Sequence, residues 1–152
     1  MSVYVQTDDF DVGAELIKLR ADNTKIGAIV SFIGLVRDLN DNAEVSEMVL
    51  EHYPAMTQKS LEDIVQQAKQ RWDIYDALVI HRVGRLLPTD QIVLVATTSA
   101  HRMDAFAACE FMMDFLKTRA PFWKKEQTKA GSRWVEAKES DDQAAQRWDN
   151  DE

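Results

Sequence analysis

Four cations gathered in an acidic chain are the first residues that could do chemistry. In LKTRAPFWKKE, residues 116–126, Lys117, Arg119, Lys124 and Lys125 bracket the apolar run Ala120-Pro121-Phe122-Trp123, although the 152-residue chain carries a formal net charge of -8. A solvated basic loop seldom holds Phe-Trp, and a core segment seldom holds this many cations. From Phe115 to Lys138 there are seven Lys/Arg against two acids, and from Glu139 to Glu152 six acids against Arg147. A compact cationic zone suits a small anionic ligand or an acidic partner segment. A solvated basic face is the alternative that charge alone leaves open.

Two further places could serve an anion. Ser99-Ala100-His101-Arg102 follows a strand pattern and opens a helical one, so backbone N–H groups, a forked guanidinium and an imidazole converge at a helix N-terminus. An ordinary cap followed by two exposed polar residues is the plainer reading. Arg37 ends the apolar run Gly34-Leu35-Val36 and enters a polar loop, a position from which ligands are often contacted. Lys117 falls in the last turn of the same helix that His101 opens. Over the sixteen residues between them the helix rises about 24 Å. If the two serve one small ligand, a second copy of the chain must complete the site.

Other residue types carry less. Cys109, the single cysteine, lies in an apolar helix and reads as packing rather than as a nucleophile. His52 and His81 sit in separate strand contexts without metal-ligand spacing. Met48, Met103, Met112 and Met113 read as core filler. No Gly-rich phosphate loop, GxSxG or HExxH is present.

The elements that must position these groups follow from periodicity. Val3–Gln6 reads as a short strand and Val12–Arg20 as a helix with Ala14, Leu16, Ile17 and Leu19 inward. Ile26–Val36 is β-branched enough for a core strand, with Gly27 and Gly34 marking a bulge or a close backbone approach. Residues 38–44 read as a loop and Val45–Tyr53 as a strand. Pro54 opens a helix to about Trp72, with Leu61, Ile64, Val65, Ala68 and Trp72 on one stripe. Ala77–Val83 and Gln91–Thr98 are strands. A buried helix capped by Ser99 runs to about Lys117, with Phe106 and Ala107 among its apolar positions, and Pro121 prevents its continuation. A hairpin of about Phe122–Glu126 and Arg133–Lys138 turns at Ala130-Gly131, and an acidic, mobile C-terminal tail follows. Strands and helices are mixed without strict alternation, which predicts one α+β domain.

Length and composition fit one globular unit. No apolar run approaches the ~18 residues that span a bilayer, and the start lacks the pattern of a secretory signal. One cysteine rules out an internal disulfide and fits a reducing, cytoplasmic setting. The acidic balance excludes a general nucleic-acid binder, whose affinity depends on neutralising phosphates.

Five segments in order, LEHYPAM (50–56), VIHRVG (79–84), TSAHR (98–102), LKTRAPFWKKE and WVEAKES (134–140), carry a resemblance to a known family. Together they resemble the large, catalytic subunit of molybdopterin synthase, over about Gly27 to Trp148. The resemblance implies an α/β hammerhead fold with an additional antiparallel β subdomain, so that residues 1–148 form the single catalytic-subunit domain and 149–152 an acidic tail. It implies a sulfurtransferase of molybdenum cofactor biosynthesis, converting cyclic pyranopterin monophosphate (precursor Z) into the molybdopterin dithiolene. Sulfur would arrive as the C-terminal thiocarboxylate of a small ubiquitin-like subunit, in a heterotetramer built on a dimer of large subunits, with no metal or other cofactor. Carried over by motif, Leu35, Val36 and Arg37 match substrate contacts, His101 and Arg102 the phosphate-binding pair, and Lys117 the lysine beside the thiocarboxylate. Lys124, Lys125 and Glu126 match the rest of the pocket, with Lys117 and Lys124 as catalytic groups, Phe122 and Trp123 as its dry wall, and Glu126 either moving protons or held in a salt bridge. Two rivals remain open: a non-catalytic module that docks the tail of a ubiquitin-like partner, and a general phosphate-ligand binder.

Overall fold

The computed structural model describes residues 2–40, 43–135 and 139–150. Two sheets divide the strands. In the first, the order is β1 (Ser2–Gln6), β5 (Asp76–Arg82), β7 (Gln91–Ser99), β2 (Ala28–Leu35), with β1 parallel to β5 and the other pairs antiparallel. In the second, β3 (Leu39–Asn40), β4 (Ala43–His52), β8 (Phe122–Thr128) and β9 (Gly131–Val135) follow one another, and β6 (Gly84–Leu86) pairs with β4. Helix α1 (Val12–Arg20) covers one face of the first sheet, where Val12, Leu16 and Leu19 meet Phe10, Leu78, Ile80 and Leu94. Helices α2 (Pro54–Arg71) and α3 (Arg102–Arg119) cover the other through Leu61, Val65, Val79, Val95, Phe111 and Met112. Val36, Met48, Leu50, Val83 and Leu86 fill the junction of the two sheets. This is the α+β hammerhead with an added antiparallel β subdomain. Among the described residues no helix is long and apolar enough to cross a membrane.

The periodic segments fold as their patterns predict. The stripe on α2 buries Leu61, Ile64, Val65 and Ala68, because four residues on one face of a helix meet the sheet together. Both glycines of the 26–36 run have a steric reason. A Cβ on Gly27 would lie 2.2 Å from the carbonyl oxygen of Ala100, and one on Gly34 2.9 Å from Val93 Cγ1, next to a register shift at Gly34/Leu35.

Several expectations are corrected. Strand β2 stands at the edge of its sheet, and Phe32 and Leu35 are exposed, so a β-branched run here is not a core strand. Ala14 and Ile17 face outward on α1, because the short helix touches the sheet only through Val12, Leu16 and Leu19. Residues 39–40 and 43–44 pair as a hairpin rather than a loop. Ser99 ends β7 instead of capping α3. Its hydroxyl donates to the Asp73 carbonyl at 2.7 Å, and His101 is the cap residue, with no side-chain cap bond. Phe106 is exposed on α3, at 60 %, beside Met103 at 78 %.

Up to Asn150 the acidic C-terminal stretch is packed, not mobile, and residues 151–152 lie outside the described residues. It forms α4 (Glu139–Gln146) and a 3-10 turn (Arg147–Asn150). Trp148 packs edge-on against Trp72 and Phe111, with centroids 5.4 and 5.7 Å away, and donates its Nε1–H to Asp114 at 2.7 Å. One aromatic anchor outweighs an acidic composition, since its burial removes a large apolar surface from water. The end of the second hairpin strand, up to Lys138, lies outside the described residues.

Candidate functional site

A cavity of about 550 Å³ opens where the end of β2, the C-terminal end of α3 and strand β8 meet. Each of these elements delivers part of the candidate set. Val36 is buried and held by backbone bonds to Asp90 (N–H to carbonyl, 3.0 Å) and from Thr89 (2.8 Å). That anchor fixes the chain so that Leu35, Val36 and Arg37 all line the cavity. Lys117 comes from the last turns of α3, where the helix dipole favours a cation. Ala120 and Pro121 break the helix, and β8 begins at Phe122.

From Phe122 onward, the alternation of a strand divides the basic segment. Successive side chains point to opposite faces, so Phe122, Lys124 and Glu126 line the cavity while Trp123 and Lys125 point away from it. Trp123 packs edge-on against Tyr53, with centroids 4.6 Å apart, and the Lys125 ammonium sits 5.7 Å from the centre of the Trp134 ring. Arg119 leaves the site as well, lying 3.8 Å over Phe115 and facing Asp149 at 3.9 Å. Of the four clustered cations, then, Lys117 and Lys124 serve the cavity and Arg119 and Lys125 do not. Phe122 is a wall of the cavity, and Trp123 is not.

Glu126 is held in place by its neighbours. Its carboxylate is buried and accepts from Asn40 Nδ2 (3.1 Å to each oxygen) and from Arg133 (Nε at 3.3 Å, Nη2 at 3.2 Å), while Arg133 Nη2 also donates to the Asn40 carbonyl at 2.8 Å. These bonds tie the β3 hairpin, just beyond Arg37, to β8 and β9. The salt-bridge reading of Glu126 is the one the geometry matches.

His101 and Arg102 lie at the opposite end of α3 and are exposed. The helix is unbroken over Arg102–Arg119, which keeps them about 24 Å from Lys117. Within one chain they do not join the cavity. Cys109 is buried among apolar residues, and that burial pushes its thiol up to about 12, consistent with a packing role.

His81 also lines the cavity, a position sequence reasoning set aside. Its ring is 5 % exposed and stacks on Phe122, with centroids 3.9 Å apart and planes 16° from parallel. Nδ1 lies 2.8 Å from the Arg82 carbonyl. Burial is the main cause that holds its pKa down at about 3, with Lys117, Lys124 and His52 adding to it against the raising effect of the Arg82 carbonyl. The available signal was alternation: His81 shares its strand face with Ala77 and Val79, both buried. Asn40 and Arg133 carried no local signal, since their partnership joins distant segments.

The arrangement is therefore a half-apolar cavity whose polar groups are Arg37, Lys117, Lys124, a neutral imidazole, the fixed carboxylate of Glu126 with Asn40, and the carboxylate of Asp141. It suits an anion that carries a reacting carbonyl or phosphoryl group.

Known proteins share both sequence and shape. The family described as "MoaE protein" matches residues 5–119. The molybdopterin synthase catalytic subunit of Ralstonia nicotianae is 63 % identical over 147 residues, covering 97 % of this chain and 84 % of that one. A solved molybdopterin biosynthesis MoaE protein from Burkholderia ambifaria superposes with a TM-score of 0.84 at 58 % identity, covering 97 % of both chains. Molybdopterin synthase from Staphylococcus aureus gives 0.80 at 30 % identity, over 88 % of this chain and 96 % of that one. By these matches, with which fold and cavity agree, the chain belongs to the MoaE protein family, that of molybdopterin synthase catalytic subunits.

Proposed function

We propose that the chain is the catalytic subunit of a molybdopterin synthase. It transfers two sulfurs from the C-terminal thiocarboxylate of a small ubiquitin-like subunit to precursor Z and so builds the molybdopterin dithiolene. The observation that carries the reading is the convergence of Arg37, Lys117 and Lys124 on one cavity walled by Phe122 and Leu50. A carrier tail ending in a thiocarboxylate and a cyclic phosphate are both anionic, and fixed cations in a partly dehydrated site stabilise the charge that builds as they react.

The chemistry follows from the donor. A thiocarboxylate that attacks a pterin side-chain carbon through sulfur replaces a C–O bond there, the oxygen leaving with the phosphate or as water, and is left as a thioester to that side chain. The sulfur stays with the pterin only after water cuts the acyl C–S bond and the carrier leaves as a carboxylate. Lys117 stabilises the thiocarboxylate and the tetrahedral species of that cleavage, and Lys124 acts at the substrate. Leu35, Val36 and Arg37 contact the pterin, and Glu126 holds the cavity wall. The sulfur comes with the carrier, so the reading calls on no metal or redox cofactor.

The quaternary arrangement in this reading is a dimer of large subunits with a small subunit at each end, acting in the cytoplasm. The exposed Met103 and Phe106 on α3 support a contact between copies. Such a contact brings His101 and Arg102 of a second copy to the phosphate, which the length of α3 forbids within one chain. The experiment is the formation of sulfurated pterin from precursor Z with the thiocarboxylated small subunit and without it. Product only in its presence is expected, and product without any protein partner would overturn the reading.

A further inference from the structure

His81 is in the cavity but has no part in the reaction as set out above. A carbonyl oxygen only accepts, so the 2.8 Å contact with the Arg82 carbonyl commits Nδ1 as the donor. Nε2 is then the unprotonated nitrogen, with a lone pair. Among the described residues no side-chain nitrogen or oxygen is fully buried without a hydrogen-bond partner, and Nδ1 holds the only hydrogen bond of this ring. Nε2 therefore reaches the space of the cavity that His81 lines. Stacking on Phe122 at 3.9 Å fixes the plane of the ring.

The other polar groups lining the cavity are the cations Arg37, Lys117 and Lys124, Glu126 with its partner Asn40, and Asp141 from α4, a second proton acceptor that the His81 variants leave in place. Lys117 faces it from α3, Lys124 from β8 and His52 from β4, and Arg37 also lines the cavity. Glu126 accepts from Asn40 and Arg133, with three of the four bonds on Oε1 and one on Oε2. Cleavage of the thioester, however, requires a group that takes a proton from water, and ammonium and guanidinium groups cannot.

We propose that Nε2 of His81 is the proton acceptor for the water that splits the acyl thioester between carrier and pterin, an inference that rests on the functional reading above. Water adds to the acyl carbon as one of its protons passes to Nε2. The C–S bond breaks, sulfur leaves as a thiolate and takes that proton back, and the new carboxylic acid on the carrier ionises to solvent. The site is suited to act in this order. Burial, to which the neighbouring cations add, keeps His81 neutral before the reaction, so its lone pair is available. An anion bound against Lys117 offsets that lysine's share of the repulsion and raises the basicity of His81 where the water must be deprotonated.

The test uses the assembled complex with thiocarboxylated carrier and precursor Z, quenched at intervals and analysed by mass spectrometry. His81→Asn keeps a donor for the Arg82 carbonyl and removes the Nε2 position. His81→Gln places an amide near Nε2 that accepts a hydrogen bond and cannot take the proton. Both are expected to accumulate the covalent carrier–pterin adduct and to release product about a hundredfold more slowly. Turnover within about threefold of the unsubstituted complex, a difference far below the usual contribution of a general base, would overturn the proposal. So would loss of both adduct and product. Absence of product from the unsubstituted complex would instead overturn the functional reading. Histidine ¹⁵N spectra of the unsubstituted complex provide a measurement that needs no variant. His81 is identified there by the contact of its ring with the Phe122 ring. Its Nε2 signal is expected to move when precursor Z is added, and an unmoved signal would overturn the proposal.

Discussion

Arg133 grips Glu126 and Asn40 at once: its Nη2 lies 3.2 Å from the buried carboxylate and 2.8 Å from the Asn40 carbonyl. One guanidinium thus joins β9, β8 and the β3 hairpin along the cavity wall. Glu126→Ala would leave Arg133 without its partner and strip Asn40 of its acceptor. Breaking a buried pair costs about 3 to 5 kcal/mol, and the partial exposure of Arg133 puts the expected loss near the lower end. Urea unfolding of Glu126→Ala and Glu126→Gln measures it, with Gln the milder because it still accepts from Asn40. A loss of activity with unchanged stability would contradict the structural role.

Lys117→Ala separates catalysis from docking. Removing one preorganised donor to a developing anion lowers turnover by about 10² to 10³, while a single lysine at the cavity mouth contributes little to a large protein interface. Sulfurated pterin should fall by at least that factor, and the complex with the small subunit should persist in size-exclusion chromatography. Normal turnover by this variant would remove Lys117 from the chemistry and favour the docking-module reading.

The pH dependence of stability follows from His81. Its folded pKa, about 3, lies below the ordinary 6.5, so the unfolded chain binds the proton first. The contribution is complete above pH 6.5 and is lost as pH falls from 6.5 toward 3, with a slope of up to about 1.4 kcal/mol per pH unit. His81→Gln lacks that proton linkage. The unfolding free energy of the parent minus that of this variant should fall as pH is lowered from 7 to 5. A difference of constant size would mean that His81 titrates normally in the folded chain.

What was legible in the sequence was local and periodic. The stripe of α2, the stop at Pro121 and the close approach at Gly27 each follow from a handful of neighbouring residues, and each is found. The clustering of cations in residues 116–126 pointed to the right wall of the cavity. What escaped depended on partners far along the chain. A β-branched run reads as a strand whether it lies at the centre or the edge, and only the order β1-β5-β7-β2 puts β2 outside. Asn40 and Arg133 became legible as a unit only when the second sheet brought them to Glu126.

The C-terminal segment shows the same limit and offers a stability test. Trp148 is buried against Trp72 and Phe111 and bonded to Asp114, and Arg147 adds ion pairs to Glu110 and Asp114. Trp148→Ala removes the anchor and leaves a cavity, which costs about 3 to 5 kcal/mol. Thermal unfolding should show a lower midpoint, and α4 should become sensitive to limited proteolysis. An unchanged midpoint would restore the expectation of a mobile acidic tail.

Lys124 and Lys125 are neighbours in sequence with the same charge, and strand geometry assigns them opposite fates. Lys124 faces the cavity beside Phe122, while Lys125 lies against Trp134 on the other side of the sheet. Composition and motif cannot distinguish them, but a period of two does. Lys124→Ala should reduce turnover by about 10² or more, as removal of a preorganised cation does. Lys125→Ala loses only an exposed cation–π contact worth about 0.5 to 1 kcal/mol, so its turnover should stay close to that of the parent. Steady-state rates of sulfurated pterin formation decide the matter. Equal defects in the two variants would mean that the sheet face opposite the cavity also meets the substrate or the carrier tail.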